Sequence, residues 1–292
     1  MTSISRREFT ARSASVLAGA LLPGARSTAS RTAPRLIVRG DDMGYAHAGN
    51  EALIACHMNG IETTIELLVP SPWFPEAVRM LTEHDTVDVG VHLTLTSEWD
   101  TVKWRPLTAA PSLRDADGYL FPMLVPNPHY PGRSVSENAW RMEDVEREFR
   151  AQIELAKRHV PRISHLSGHM GCVEMLPGVK AMTRRLATEY SVDIWPEDHG
   201  VVPVSYKGPH VTSADKLDSF LRMLDALEDG RTYLFVDHPG LDTPELRAIH
   251  HIGYEQVAAD RQGVTDMFTS SRAAERIKQR GIELIGYRDL RR

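Results

Sequence analysis

Cysteine is scarce in this chain, and an excess of positive charge is absent. Only Cys56 and Cys172 occur among the 292 residues. They are too few for a disulfide scaffold and form either one bridge or two free buried thiols. The formal net charge of −5 gives no electrostatic basis for binding nucleic acid or an anionic membrane. We therefore expect a small or neutral ligand as the partner and no nucleic acid.

The motifs of two common enzyme classes are also missing. The sequence has neither Gly-x-Ser-x-Gly, which marks many serine hydrolases, nor a glycine-rich phosphate loop of the Walker type. Neither class therefore has support. The composition, 42% hydrophobic and 25% charged, is that of an ordinary globular protein. The length suits one large domain, such as an α/β barrel, or two small ones.

The first 30 residues have the order of an export signal. The paired Arg6 and Arg7 precede an apolar stretch at 14–22, and small residues follow through Ala29. This order predicts a twin-arginine signal peptide over residues 1–30 and a periplasmic or secreted protein. The nine apolar or small residues at 14–22 are too few for a membrane anchor. A basic tail without a targeting role is the alternative.

From Arg35 onward, short β-rich runs alternate with amphipathic segments. The alternation predicts βαβ units around a parallel sheet, and hence a distorted, TIM-barrel-like (β/α) barrel formed as a single domain over 31–292. It lapses over 97–140, a long insertion loop that we expect near the active site. The predicted strands are 35–40, 64–69, 87–95, 162–166, 192–194, 232–236 and 283–286, and the predicted helices are 48–59, 75–84, 142–159, 177–190, 214–227 and 272–280.

Two adjacent carboxylates end the first predicted strand. Asp41 and Asp42 follow the apolar run that begins at Leu36, and Gly44 comes shortly after them. Because the chain turns just past a strand, both side chains can point to one centre, where one holds a metal and the other accepts a proton. The alternative is a turn that caps the helix starting near His47, since Asp and Gly are common turn and N-cap residues.

Histidines lie at the ends of three other predicted strands. His92 is near the end of the third strand, His169 follows the fourth, and the pair Asp237 and His238 follows the sixth. In a parallel α/β barrel these strand ends form the active-site face. Imidazole and carboxylate groups suit a divalent transition metal, so Asp42, His92 and His169 are candidates for an open metal site. Two further candidates rank below His169: His165, inside the strand, and Cys172, beyond a glycine.

Five short motifs follow one another along the chain. They are Asp41-Asp-Met-Gly44, Gly90-Val-His-Leu-Thr-Leu95, His165-Leu-Ser-Gly-His-Met-Gly171, Asp237-His-Pro-Gly240 and Asp260-Arg-Gln262. In this order and with these gaps they resemble the motifs of the YdjC-like (ChbG/HpnK) carbohydrate deacetylases. The resemblance extends from Arg35 to Leu290. It implies a distorted (β/α) barrel and metal-dependent removal of N-acetyl groups from amino sugars such as chito-oligosaccharides.

The resemblance also implies roles for single residues. Asp42, His92 and His169 match the metal ligands. Asp41 matches the candidate base, and His238 is a candidate acid or substrate contact. The implied cofactor is one divalent metal ion, Zn²⁺ or Mg²⁺. The candidate substrate contacts are Trp99, Trp104, Arg105, Asp237 and Arg261.

Two features distinguish this chain within the resemblance. Ser167 and Gly168 precede the third ligand where many members have Asp-Ser, which leaves metal coordination intact but the identity of the substrate open. The insertion loop carries Trp99 and Trp104. Their rings either stack on a sugar or pack the loop onto the barrel.

The predicted reaction is the hydrolysis of an N-acetyl group on a small carbohydrate. Asp41 would take the proton of the attacking water, and His238 would protonate the leaving amine. One alternative is a metal-dependent hydrolase of an ester or phosphoester on the same barrel. The other is a periplasmic glycan-binding protein without activity. The sequence leaves the sugar, the metal and the oligomeric state open, a homodimer included.

Overall fold

The computed structural model describes residues 32–291, with a parallel sheet at its centre. The strands are β1 (Arg35–Met43), β2 (Thr64–Leu67), β3 (Asp88–Leu93), β4 (His165–Gly168), β5 (Val202–Val204), β6 (Thr232–Asp237) and β7 (Glu283–Leu284). Their order is β4-β3-β2-β1-β6-β5, and β7 pairs with the first residues of β1. Every strand pair is parallel. The sheet curls into a half-barrel, which confirms the prediction of a distorted barrel in a single domain.

Helices pack against this sheet. They are α1 (His47–Asn59), α2 (Phe74–Glu83), α3 (Met142–His159), α4 (Cys172–Met175), α5 (Val179–Glu189), α6 (Ser213–Asp225), α7 (Pro244–Arg247), α8 (Val257–Phe268) and α9 (Ser271–Arg280). Short 3-10 turns occur at Pro111–Leu113, Val135–Glu137, His169–Gly171, Pro196–His199 and Tyr287–Arg291. Within residues 32–291, no helix is both long enough and apolar enough to cross a membrane. The predicted signal peptide lies outside the described residues.

The two faces of β1 pack against different parts of the protein, as the alternation of side chains along a strand requires. Ile37 belongs to a buried cluster with Leu234 and Ile285 from β6 and the end of the chain. Leu36 and Val38 belong to a second cluster, formed with apolar residues of α6, α8 and α9. Arg39 and Asp41 follow Ile37 at alternate positions, so their side chains lie on the same face of β1 as Ile37.

One predicted strand is absent from the structure, and one long helix was not predicted. Residues 192–194 form no strand, although Val192 and Ile194 are buried, and the next strand is Val202–Val204. The helix Val257–Phe268 was not predicted from the sequence, because Gly263 interrupts its apolar pattern and lowers helix propensity. Packing explains that glycine. A Cβ at position 263 would lie 3.2 Å from the side chain of Lys216 on α6, so the glycine lets the two helices approach closely.

The insertion loop is long, as predicted, but it is well packed rather than open. Between the end of β3 and the start of α3 the regular structure consists of two 3-10 turns and isolated bridges. Leu113, Leu120 and Phe121 of the loop are buried in the largest apolar cluster. The two cysteines, Cys56 and Cys172, are free and buried, which supports the second of the two alternatives given by the sequence.

A carboxyl group without a hydrogen-bond partner is buried beneath α1. Glu62 is 3% exposed, and neither of its carboxyl oxygens has a hydrogen-bond partner among residues 32–291. Gly40 makes room for it, because a Cβ there would lie 2.5 Å from Glu62 Oε2. Burial, and to a lesser degree the negative charge of Asp41, raises the pKa of Glu62 well above its usual value.

We expect the free energy of unfolding to fall less steeply with rising pH in Glu62→Gln than in the wild type. Above the pKa of Glu62 in the unfolded chain, the folded state binds a proton that the unfolded state releases, so the free energy of unfolding falls as pH rises. Glutamine has nearly the same shape and no such proton. The measurement is urea unfolding of both proteins from mildly acidic to neutral pH. Equal pH slopes for the two proteins would contradict this account.

Candidate metal centre

The two aspartates reach the site through an irregularity at the end of β1. The register of β1 against β2 shifts between Gly40 and Met43, and Asp42 has a φ of 73°. A bulge of this kind redirects a side chain next to a site, and a non-glycine residue in the left-handed region often marks one. Both carboxylates consequently line one cavity of about 420 Å³. The prediction that they lie past the strand is corrected, because β1 continues to Met43.

The structure brings the three predicted ligands together. His92 lies near the end of β3, and His169 directly follows β4 in a tight turn whose next residue, Met170, has a φ of 49°. Oδ1 of Asp42 is 3.1 Å from His169 Nδ1 and 3.5 Å from His92 Nε2. One ligand atom from each of the three residues falls within 4.8 Å of the others, and all three residues are buried.

This arrangement fits a divalent metal ion. Oδ1 of Asp42 is buried and has no hydrogen-bond partner among the described residues, so it is free to serve as a ligand. Two atoms that each bind one ion at about 2.1 Å stand roughly 3.0–3.5 Å apart, which matches the distances from this oxygen to His92 and His169. Two imidazoles with one carboxylate are typical of Zn²⁺ more than of Mg²⁺.

Charges around the ligands favour a cation at this place. Burial alone would raise the pKa of Asp42, but His169, Arg261 and His238 hold it well below its usual value. Burial alone would lower the pKa of His169, but the carboxylates of Glu98 and Asp42 raise it to about 10. The protein therefore stabilises positive charge between these carboxylates, which a metal ion would supply in place of protons.

Neighbouring side chains hold the ligands in orientation. Arg261 on α8 donates from Nη2 to Asp42 Oδ2 at 2.8 Å. The other carboxylate oxygen, Oδ1, therefore faces the two histidines. Glu98 lies 3.0 Å from His169 Nε2, so the other ring nitrogen, Nδ1, faces Asp42. Such contacts fix the orientation and tautomer of a ligand histidine. Glu98 was not among the sequence-predicted site residues; its place in the segment Ser97-Glu-Trp-Asp, at the start of the insertion loop, was the only sign of it in the sequence.

Asp41 lies beside the ligands and has a different partner. The Arg39 guanidinium donates to both of its carboxylate oxygens, from Nε at 2.7 Å and from Nη2 at 2.9 Å. Its Oδ2 is 3.7 Å from His92 Nε2. Arg39 also donates to the hydroxyl of Tyr287 at 3.0 Å. Asp41 is thus held at the cavity wall, next to the candidate metal position.

Asp237 and His238 lie where the metal cavity meets a second cavity of about 660 Å³. His238 and Tyr254 line both cavities, and Asp237 lines the second. Nε2 of His238 is 3.9 Å from Asp42 Oδ2, and its side chain is 40% exposed. Partial burial alone would lower the pKa of His238, but the charge of Asp42 and the nearby carboxylate of Asp237, whose Oδ1 is 3.7 Å from His238 Nδ1, raise it. An accessible imidazole whose protonated form is favoured by its neighbours therefore borders the candidate metal position.

The predicted substrate contacts separate into two groups. Trp99 and Arg261 line the metal cavity, with the guanidinium 5.2 Å from the indole ring centre. Trp104 and Arg105 are not among its lining residues. Trp104 is buried and donates its indole N–H to the Thr96 carbonyl at 2.8 Å, because a buried indole needs an acceptor. Arg105 donates to the backbone of the loop itself, so both residues pack the loop.

The two lower-ranked candidate ligands have other partners. His165 Nε2 is hydrogen-bonded to Glu66 at 2.5 Å, and its ring stacks on Tyr287 with the ring centres 3.5 Å apart. The Cys172 thiol donates to the Leu93 carbonyl at 3.1 Å. Neither belongs to the three-residue cluster, in agreement with their lower rank.

Fold and site together define an α/β half-barrel protein with a candidate metal centre at the carboxyl ends of its strands. Comparison with known families assigns it further. The family model described as "YdjC-like protein" matches residues 35–279, and the chain belongs to this family.

Two relatives agree with this assignment, and a solved structure has a similar fold. The chain is 34% identical over 238 residues to a carbohydrate deacetylase of Thermus thermophilus, covering 73% of this chain and 80% of the relative. It is 27% identical over 264 residues to carbohydrate deacetylase 2 of Listeria innocua, covering 88% and 98%. Its fold is similar to the crystal structure of a putative cellobiose-phosphate cleavage protein of Enterococcus faecalis, with a TM-score of 0.70, 22% identity, and coverage of 89% and 99%.

Proposed function

We propose that this protein is a metal-dependent carbohydrate deacetylase that hydrolyses the N-acetyl group of an amino sugar. The observation that carries the proposal is the convergence of Asp42, His92 and His169 within 4.8 Å, beside Asp41 and His238, in a chain of the YdjC-like family. The names of its relatives support a carbohydrate as the substrate. The two imidazoles favour Zn²⁺ as the ion.

The residues around the cavity divide the chemistry between them. When bound, the metal would supply Lewis-acid catalysis at the acetyl carbonyl. Asp41, oriented by Arg39, takes one proton from the water that attacks the acetyl carbon. As the C–N bond breaks, His238 gives a proton to the nitrogen, so that acetate and a free amine result. The second cavity beyond His238 offers room for the rest of the sugar.

The bond that is cleaved can be tested with a panel of substrates. We expect the metal-loaded protein to release acetate from N-acetylated mono- and oligosaccharides and to act far more slowly on aryl esters and phosphoesters. The products are quantified as acetate, phenol and phosphate. Preferential release of phosphate or phenol would replace the deacetylase by the second kind of hydrolase. Tight sugar binding without any product would favour a glycan-binding protein.

We also propose that the protein acts outside the cytoplasm, after export by the twin-arginine route. A fusion of residues 1–30 to a reporter is expected to reach the periplasm, and Arg6→Lys with Arg7→Lys is expected to block it, because a receptor reads the arginine pair. Reporter activity in periplasmic and cytoplasmic fractions is the measurement. Undiminished export of the double variant would contradict the twin-arginine prediction.

A further inference from the structure

The metal ligand His92 is connected to a buried carboxylate by way of a serine. His92 Nδ1 is 2.8 Å from the Ser167 hydroxyl. That hydroxyl donates to Oε2 of Glu66. A hydroxyl that donates its proton to a carboxylate is left with lone pairs for the imidazole, so it accepts from Nδ1–H. The other ring nitrogen of His92, Nε2, then carries a lone pair towards Asp42.

The register of three neighbouring strands produces this connection. Glu66 on β2 pairs with Gly90 on β3, which pairs with His165 on β4. Two residues further along, His92 on β3 pairs with Ser167 on β4, so both rows share one face of the sheet. The glycine between them is necessary. A Cβ at position 90 would lie 2.4 Å from Glu66 Oε2 and 2.5 Å from His165 Nε2.

The carboxylate is itself held firmly. Glu66 is fully buried, and its Oε1 is hydrogen-bonded to His165 Nε2. The other nitrogen of that ring, Nδ1, is 2.7 Å from the Ser164 hydroxyl, and the ring stacks on Tyr287. A carboxylate with both oxygens bonded in a dry interior has one position, and so does the serine that bonds to it.

We propose that Glu66 and Ser167 are positioning residues that fix the Nδ1–H tautomer of His92 and thereby present its Nε2 to the metal. This inference rests on the proposed metal-dependent function. It also gives a reason for Ser167 beside the third ligand: the serine on β4 connects His92 on β3 to a carboxylate on β2, the strand on the other side of β3.

The test combines the tautomer of His92 with affinity for Zn²⁺. The tautomer is read from long-range ¹H–¹⁵N correlations of the metal-free protein, with His92→Gln identifying the signals. Zn²⁺ affinity is measured by competition with a chelating dye for wild type, Ser167→Ala, Ser167→Thr and Glu66→Gln. The control is Ser219→Ala, a buried serine on α6 whose hydroxyl donates to the Pro209 carbonyl.

We expect the wild type to carry the His92 proton on Nδ1 and Ser167→Ala to lose this preference. The Zn²⁺ dissociation constant should rise about 10–100-fold in Ser167→Ala, the range typical of lost partners of a ligand histidine. Ser167→Thr, which keeps the hydroxyl, and Ser219→Ala should stay near wild type. Ser167→Ala combined with Glu66→Gln should weaken binding by less than the product of the two single effects, because both act through one connection.

Two results would overturn the inference: a proton on His92 Nε2 in the wild type, or unchanged Zn²⁺ affinity in Ser167→Ala. Should Glu66→Gln fail to fold, the alanine and threonine variants at position 167 still decide it. Failure of the proposed function looks different. A wild type that has the Nδ1–H tautomer, binds Zn²⁺ and loses affinity in Ser167→Ala, but releases no acetate, would support the inference and contradict the deacetylase. A wild type that binds no Zn²⁺ would contradict both.

Discussion

Asp41→Asn is expected to lower the rate of deacetylation by about 10²–10⁴-fold, the usual loss when a general base is removed, while the metal stays bound. The amide has nearly the same shape as the carboxylate, and one oxygen still accepts from Arg39, but it cannot take a proton from water. Oδ2 of Asp41 is 3.7 Å from His92 Nε2, and the residue is outside the three-residue cluster. Metal content and rate are measured across a metal titration.

Asp42→Asn is the matched comparison for this variant. It changes the adjacent carboxylate in the same way, but at a candidate ligand, so it should weaken metal binding and be partly rescued by excess metal. If Asp41→Asn is instead the variant that loses metal and is rescued, the two roles are exchanged. If neither change affects hydrolysis, the two aspartates have only a structural role at the end of β1.

Replacing His169 by alanine is expected to remove most of the bound metal and reduce activity to background. The ring supplies one of three ligand atoms, and Glu98 fixes its orientation through the opposite nitrogen. Alanine leaves Asp42 and His92, too few ligands for a stable site. Elemental analysis of the purified variant is the measurement, with circular dichroism to show that the barrel is folded.

Cys172→Ala serves as its control. Cys172 is buried three residues further on, and its thiol donates to a backbone carbonyl rather than facing the cluster. This variant should retain the metal. Full metal occupancy in a folded His169→Ala variant would remove His169 from the ligand set, and metal loss in Cys172→Ala would show that the site responds to packing in general.

The residues at the strand ends were predictable because strands have a strong local pattern. An apolar run followed by a polar residue identifies a buried parallel strand and the end that faces the site. Asp42, His92 and His169 each follow or end such a run, and the structure brings them together. The single-domain α/β barrel follows from the same alternation of strands and helices, and it is confirmed.

The partners of these residues were not predictable, because they come from other strands and helices. Glu98 belongs to the insertion loop, and Glu66 reaches Ser167 only because β2, β3 and β4 lie in register with a glycine between them. Arg261 was predicted as a substrate contact. Its hydrogen bond to Asp42 was not predictable, because it depends on the packing of α8 beside β1. Trp104 was predicted as a sugar contact, but it does not line the metal cavity, and its indole N–H donates to the Thr96 carbonyl.

Acetate release before and after removal of the metal tests the central claim most directly. N-acetylated chito-oligosaccharides are incubated with the protein as loaded with Zn²⁺, after exhaustive chelation, and after Zn²⁺ is restored, with Asp42→Asn in parallel. The account predicts acetate release by the loaded protein, background release after chelation, and recovery with Zn²⁺ that is impaired in the variant. Acetate release that continues unchanged in the metal-free protein, or no release from any N-acetylated sugar by the loaded one, would contradict it.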